Sequence, residues 1–167
     1  MSEMGVERIL GIDPGSRFMG YGVIEKAGNS LRYIDAGQLV LGTDVPLCER
    51  LLRIDAFLTE YVSEKLPSCA SIEGIFHYKN ADSALKLGHA RGVAMVVCAR
   101  AGLPIYEYPP TDVKLSVTGY GRAEKTQVQE MVKLILGQRQ SWPLDASDAL
   151  ALAICHAQRH RALLPGR

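Results

Sequence analysis

"ILGIDPGSRFMGYGVI", residues 9–24, starts as an interior strand and stops on a carboxylate. Ile9, Leu10 and Ile12 form an apolar run, Asp13 closes it, and Pro14-Gly15-Ser16 turns the chain into a second apolar run at 18–24. Burying an unpaired carboxylate costs roughly several kcal/mol even after relaxation. A folded chain keeps Asp13 at such a strand end only where a cation or hydrogen-bond donor meets it.

Reading outward, "RILGID" (8–13), "FMGYGVIEK" (18–26) and "LRYIDAGQLVL" (31–41) are three strands separated by the turn signals "PGS" and "AGNS". Such short links imply two antiparallel hairpins. Residues 46–66 place Leu47, Leu51, Ile54, Leu58 and Tyr61 at helical spacing, and Pro67 ends that helix. "CASIEGIF" (69–76) is a fourth strand, again apolar until a carboxylate, Glu73. A long helix over 82–101, a fifth strand at 104–108, a short helix capped by Thr111, an amphipathic helix over 123–136 and a last helix over 144–163 follow. The crossover from the hairpins through the first helix is expected to be right-handed. It sets strand four parallel to strand one and beside it. The chain leaves these two neighbours in opposite directions, and ligands of open α/β sheets bind in the crevice at such a switch point. Asp13 and Glu73 stand at or near the carboxyl ends of those strands.

The totals restrict the function classes. A chain of 167 residues, 47% hydrophobic and 22% charged, suits a single compact domain over 1–167 with its own core and no disordered or repeated segment. No apolar run approaches the roughly 20 residues of a membrane span. "MSEMGVER" lacks a signal peptide's basic start and apolar core. Cys48, Cys69, Cys98 and Cys155 are scattered without a C-x-x-C pair, which points to reduced thiols in a cytoplasmic protein. The net charge of +1 is unevenly spread: residues 1–76 carry 7 Lys/Arg against 11 Asp/Glu, and 77–167 carry 12 against 7. A basic second half offers a face for a polyanion.

In "DASD", Asp145 and Asp148 are three residues apart and share one helix face. If that face leans on the switch point, Asp13, Glu73, Asp145 and Asp148 converge. Four carboxylates in one crevice repel unless divalent cations neutralise them. All-oxygen ligands select hard ions, Mg²⁺ or Mn²⁺. Two such ions about 4 Å apart can clamp the attacking and leaving oxygens of a phosphodiester. Each carboxylate also has a plainer reading: Asp145 as a first-turn helix residue, Asp148 as solvated surface, Glu73 as a lysine's partner, Asp13 as an Asx-turn residue.

Four strings, "LGIDPGSRFMGYGVI", "SIEGIFHYKNADSALKLGHARGVA", "AEKTQVQEMV" and "DASDALALAICH", closely resemble the RuvC Holliday-junction resolvases, bacterial endonucleases of the ribonuclease H-like fold. The likeness runs from about residue 8 to about 157. It implies a five-stranded mixed sheet of order 3-2-1-4-5 with helices on both faces. It implies that Asp13, Glu73, Asp145 and Asp148 hold catalytic Mg²⁺, two ions per subunit, with Mn²⁺ able to substitute. It further implies a homodimer that binds a four-way DNA junction, nicks two opposing strands symmetrically during recombination and repair, and works with the RuvA–RuvB branch-migration complex. The family's basic helpers fall on Lys114 and Lys125, beside "TGYGR", with Arg122 as a further DNA contact. Phe76 matches the aromatic that stacks on an unpaired base at the junction centre. Helix 82–101 matches the dimer helix, although a plain core helix fits its pattern equally well. Gly74 stands where the family often carries Gln, and His89 where it often carries Gln too; His89 reads as structural. His156 and His160 read as packing or surface residues.

Three rivals stay open on sequence. "GIDPGSRFMGYG" also resembles the first phosphate loop of actin-like and sugar-kinase phosphotransferases, but those need a second lobe and a second loop. A catalytically silent junction-binding scaffold would not need all four carboxylates. Another ribonuclease H-like nuclease, acting on RNA hybrids or transposon ends, would.

Overall fold

Residues 5–74 and 80–160 are described in the computed structural model. Phe76, expected at the junction, lies outside them. The elements are β1 (Glu7–Asp13), β2 (Phe18–Ala27), β3 (Ser30–Val40), α1 (Leu47–Lys65), β4 (Cys69–Glu73), α2 (Ala81–Arg100), β5 (Ile105–Tyr108), α3 (Pro110–Thr118), α4 (Lys125–Leu136) and α5 (Leu144–Arg159). The strands form one sheet of order β3-β2-β1-β4-β5. β1 runs antiparallel to β2 and parallel to β4. The sheet thus has the expected order, with its switch point between β1 and β4.

β1 is central, and side-chain alternation sends its residues to two separate layers. Leu10 and Ile12 join Ala70 and Ile72 of β4 in a core closed by α1 and α2. Ile9 and Cys69 enter the opposite core, closed by α3, α4 and α5. The odd-numbered residues of β1 and β4, Glu7 to Asp13 and Cys69 to Glu73, therefore share the α5 side. The register Ile9↔Cys69 to Ile12↔Ile72 keeps the two strand ends level.

α5 lies almost directly on the sheet. Its residues from Ala146 to Ala157 are all buried except Asp148, which is partly exposed. Alanines at 146, 149, 153 and 157 keep its surface low, and glycines on the sheet meet it. A Cβ on Gly11 would overlap the Ala149 carbonyl oxygen, and one on Gly20 would overlap that of Asp145. Ser71 Oγ donates to the Leu152 carbonyl at 2.8 Å, tying β4 to the same helix.

Some boundaries differ from expectation. α3 is capped by Pro109 with Pro110 in its first turn, and Thr111 lies exposed inside the helix, not at the cap. Proline fits there because a first-turn N–H has no intrahelical partner to lose. α4 begins at Lys125, two residues later than its apolar pattern suggests, and the Glu124 backbone N–H donates to Gln127 Oε1 at 2.8 Å. α1 ends with Leu66 in the left-handed region at φ 50°, its N–H on the Val62 carbonyl, and Pro67 follows.

Candidate metal centre and nuclease site

Asp13 ends β1, Glu73 ends β4, and Asp145 and Asp148 lie in the first turns of α5. One carboxylate oxygen from each of Asp13, Asp145 and Asp148 lies within 4.8 Å of the others. Glu73 is not in that group of three. It lines the same cavity as Asp13 and Asp148, a space of about 240 Å³ also bordered by Lys114 and Lys125. The expected four-carboxylate cluster is thus a tight trio with a fourth carboxylate on the cavity wall.

Electrostatics mark the site as strained. Burial, then the charges of Asp148, Glu73 and Asp145, push the Asp13 carboxyl well above its usual range. Burial and Asp148 raise Glu73 in the same sense, and burial raises Asp148 against the opposing pull of Lys125. Oxygen-only donors held this close, each disfavouring its own charge, fit a hard divalent cation better than any arrangement of protein groups now around them. Asp145 does not cap α5: Pro143 is the N-cap, and Asp145 Oδ2 accepts a 2.6 Å hydrogen bond from Gln38 Nε2.

The cations are placed unequally. Lys125 Nζ stands 3.6 Å from Asp148 Oδ2. It occupies the first position of α4, where the helix dipole disfavours a cation by about 0.3–1 kcal/mol. A local cost accepted beside a carboxylate cavity speaks against a merely solvated lysine. Lys114, from α3, lines the cavity and lowers Glu73 electrostatically. Arg122 is exposed on the loop before α4, outside the cavity wall.

Two further residues brace the site. Gln38 orients Asp145 from β3, opposite Gly20 of β2. Arg91 of α2 donates from Nε to the Glu73 carbonyl at 3.2 Å and pairs with Glu107 of β5, bracing the end of β4. A polar residue inside the apolar stretch "AGQLVL" was the only available hint of Gln38.

Residues 9–156 match the family described as crossover junction endodeoxyribonuclease RuvC. The chain belongs to the RuvC family. A RuvC of Syntrophotalea carbinolica is 53% identical over 150 residues, covering 90% of this chain and 93% of the relative. A RuvC of Halorhodospira halophila is 49% identical over 157 residues, covering 94% and 93%. Among solved structures, Thermus thermophilus RuvC in complex with a Holliday junction substrate superposes with a TM-score of 0.88 at 34% identity, over 93% of this chain and 96% of that one. The yeast mitochondrial Holliday junction resolvase Ydc2, with a TM-score of 0.63 at 14% identity over 91% of this chain and 78% of that one, shares the fold. RuvC membership accounts for the sheet order and for a metal-dependent nuclease built on this architecture.

Proposed function

We propose that this chain is a crossover junction endodeoxyribonuclease: a homodimer that binds a four-way DNA junction and nicks two opposing strands by hydrolysis. The carboxylate trio at the β1–β4 switch point, with Glu73 and two lysines on the same cavity, is the observation that carries the reading. RuvC membership over 9–156 supports the substrate.

Asp13, Asp145, Asp148 and Glu73 would hold the divalent cations, two Mg²⁺ per subunit with Mn²⁺ as a substitute. Bound there, the cations supply neutralisation of the scissile phosphate and activation of the attacking water. Gln38 holds the Asp145 carboxylate in place, and Lys125 and Lys114 offset phosphate charge on the cavity rim. Their long side chains suit backbone contacts, which position DNA without reading sequence. Arg122, exposed on the loop before α4, extends that contact surface.

A groove between α1 and α2 supports the dimer. It is lined by Leu51, Leu52, Val93 and Val96, with Leu52 67% and Val96 56% exposed. An exposed apolar face of this kind fits a subunit interface, and two-fold symmetry matches a junction's paired strands. Family membership also supports work alongside the RuvA–RuvB branch-migration complex. Free cysteines and the lack, among the described residues, of a helix long and apolar enough to cross a membrane suit action in the cytoplasm.

The test offers end-labelled four-way junctions, linear duplex and RNA–DNA hybrid with Mg²⁺. The expected result is paired, ligatable nicks at symmetric positions in the junction alone. Asp13→Asn is expected to bind the junction and not cut it, because the change removes a ligand charge without removing volume. Cleavage by Asp13→Asn near the wild-type rate overturns the site, and equal cutting of hybrid or linear duplex overturns the substrate.

A further inference from the structure

The parity that sends Asp13 and Glu73 to the α5 side at one end of β1 and β4 sends Glu7 and Cys69 there at the other. His156, two turns after Asp148 on α5, meets them. On sequence alone His156 reads as a packing or surface residue.

From this geometry we propose that Glu7, Cys69 and His156 form a second metal site, specific for a borderline ion such as Zn²⁺ and separate from the carboxylate centre.

Three ligand atoms, Glu7 Oε1, Cys69 Sγ and His156 Nε2, lie within 4.8 Å of one another. Cys69 Sγ is 3.6 Å from Glu7 Oε1, and His156 Nε2 is 3.7 Å from the same oxygen. A tetrahedral ion with Zn–S near 2.3 Å and Zn–N and Zn–O near 2.0 Å sets such edges at about 3.3–3.5 Å. Two edges are therefore already close to those of a bound ion.

The imidazole is the second, independent observation. His156 is fully buried, yet Nε2 has no hydrogen-bond partner. Its other nitrogen, Nδ1, lies 2.8 Å from Tyr108 Oη, and Tyr106 packs on the ring with centroids 4.3 Å apart. With Nδ1–H donating to the phenol oxygen, Nε2 presents a lone pair toward Cys69 and Glu7. That arrangement, a ligating imidazole fixed through its far nitrogen, is how proteins orient a metal-bound histidine. An unsatisfied buried nitrogen otherwise costs about 1–3 kcal/mol.

The donor set discriminates against Mg²⁺. Thiolate and imidazole select Zn²⁺ over hard ions, just as the oxygen-only trio does the reverse. Glu7, whose side chain is 29% exposed, leaves a route for the ion and an open fourth position for water. On binding, the Cys69 thiol proton is released to solvent and the thiolate takes its place in the coordination shell. The ion would clasp the starts of β1 and β4 to the later turns of α5, stabilising the helix that carries Asp145 and Asp148.

The test uses full-length protein stripped with chelator and kept in excess Mg²⁺, titrated with Co²⁺ as a spectroscopic probe and then with Zn²⁺. The expected result is one saturable Co²⁺ equivalent per chain, a sulfur-to-cobalt charge-transfer band, its loss on adding Zn²⁺, and a higher melting temperature with Zn²⁺. Cys69→Ser loses the band, and Glu7→Gln, a change at a partly exposed position, weakens uptake without unfolding the chain. Cys48→Ser, at an exposed thiol, keeps the band. Absence of the band, its survival in Cys69→Ser or its loss in Cys48→Ser overturns the proposal.

Discussion

Asp13 is a carboxylate held where its own charge is least welcome. Burial and three neighbouring acids raise it, so the folded chain without cations stores repulsion that the unfolded chain lacks. Asn in its place keeps the volume and removes the charge. In chelator, Asp13→Asn is expected to melt about 2–4 °C above wild type, the shift that roughly 1 kcal/mol produces in a domain of this size. Calorimetry with and without Mg²⁺ checks it, and added Mg²⁺ should narrow the gap. Gln38 makes the converse case. Its amide fixes one Asp145 oxygen, and removing such an orienting partner usually costs roughly 10–100-fold in metal affinity or activity. Gln38→Ala is therefore expected to cut junctions roughly 10–100-fold more slowly while binding them normally, as single-turnover cleavage would show. Sequence pointed to the four acids because a carboxylate closing an apolar strand is costly to bury unpaired, and Asp145 and Asp148 share one helix face. It did not disclose Gln38, since nothing in a lone amide says which strand register places it beside Asp145. Glu73 joins the set differently: it lines the cavity with Asp13 and Asp148 and its charge raises Asp13, but it is not among the three acids whose oxygens all lie within 4.8 Å of one another.

At the scale of elements, the contact between α5 and the sheet sets the tolerances. Gly11 and Gly20 touch helix backbone, so no side chain at either position can be accommodated by a rotamer change. Gly11→Ala is expected to cost about 3 kcal/mol or more, read as a lower urea midpoint, and to reduce cleavage further because α5 moves with its two aspartates. An alanine at Gly5, where added carbon meets nothing, serves as the control. Strand identities were legible from apolar runs broken by turn residues, and helices from the recurrence of Leu and Ile at three- and four-residue spacing. Helix starts were less so. Thr111 carries a capping side chain, but Pro109 and Pro110 fix the backbone so that the cap falls two residues earlier.

For the whole molecule, the end of the sheet away from the carboxylates is tied by a three-strand ion network. Arg32 of β3 and Arg8 of β1 both pair with Glu25 of β2, and their hydrogen bonds, Arg32 foremost, hold the Glu25 carboxyl below its usual range. A lowered folded value means that the contribution is present above the unfolded value of 4.5 and is lost as pH falls through the folded one. Glu25→Gln is expected to lower the urea midpoint at neutral pH and to flatten the decline below about pH 4.5. A parallel shift at every pH would refute it. The sheet order could be anticipated from chain order and crossover handedness, whereas the convergence of residues more than a hundred positions apart required the close seat of α5. That seat also governs when the protein becomes competent during its own manufacture. Every strand leaves the ribosome before the last described helix does, and two acids of the trio travel on that helix. A nascent chain paused between β5 and α5 therefore carries every strand but only one acid of the trio, so cutting power arrives with the last step of synthesis.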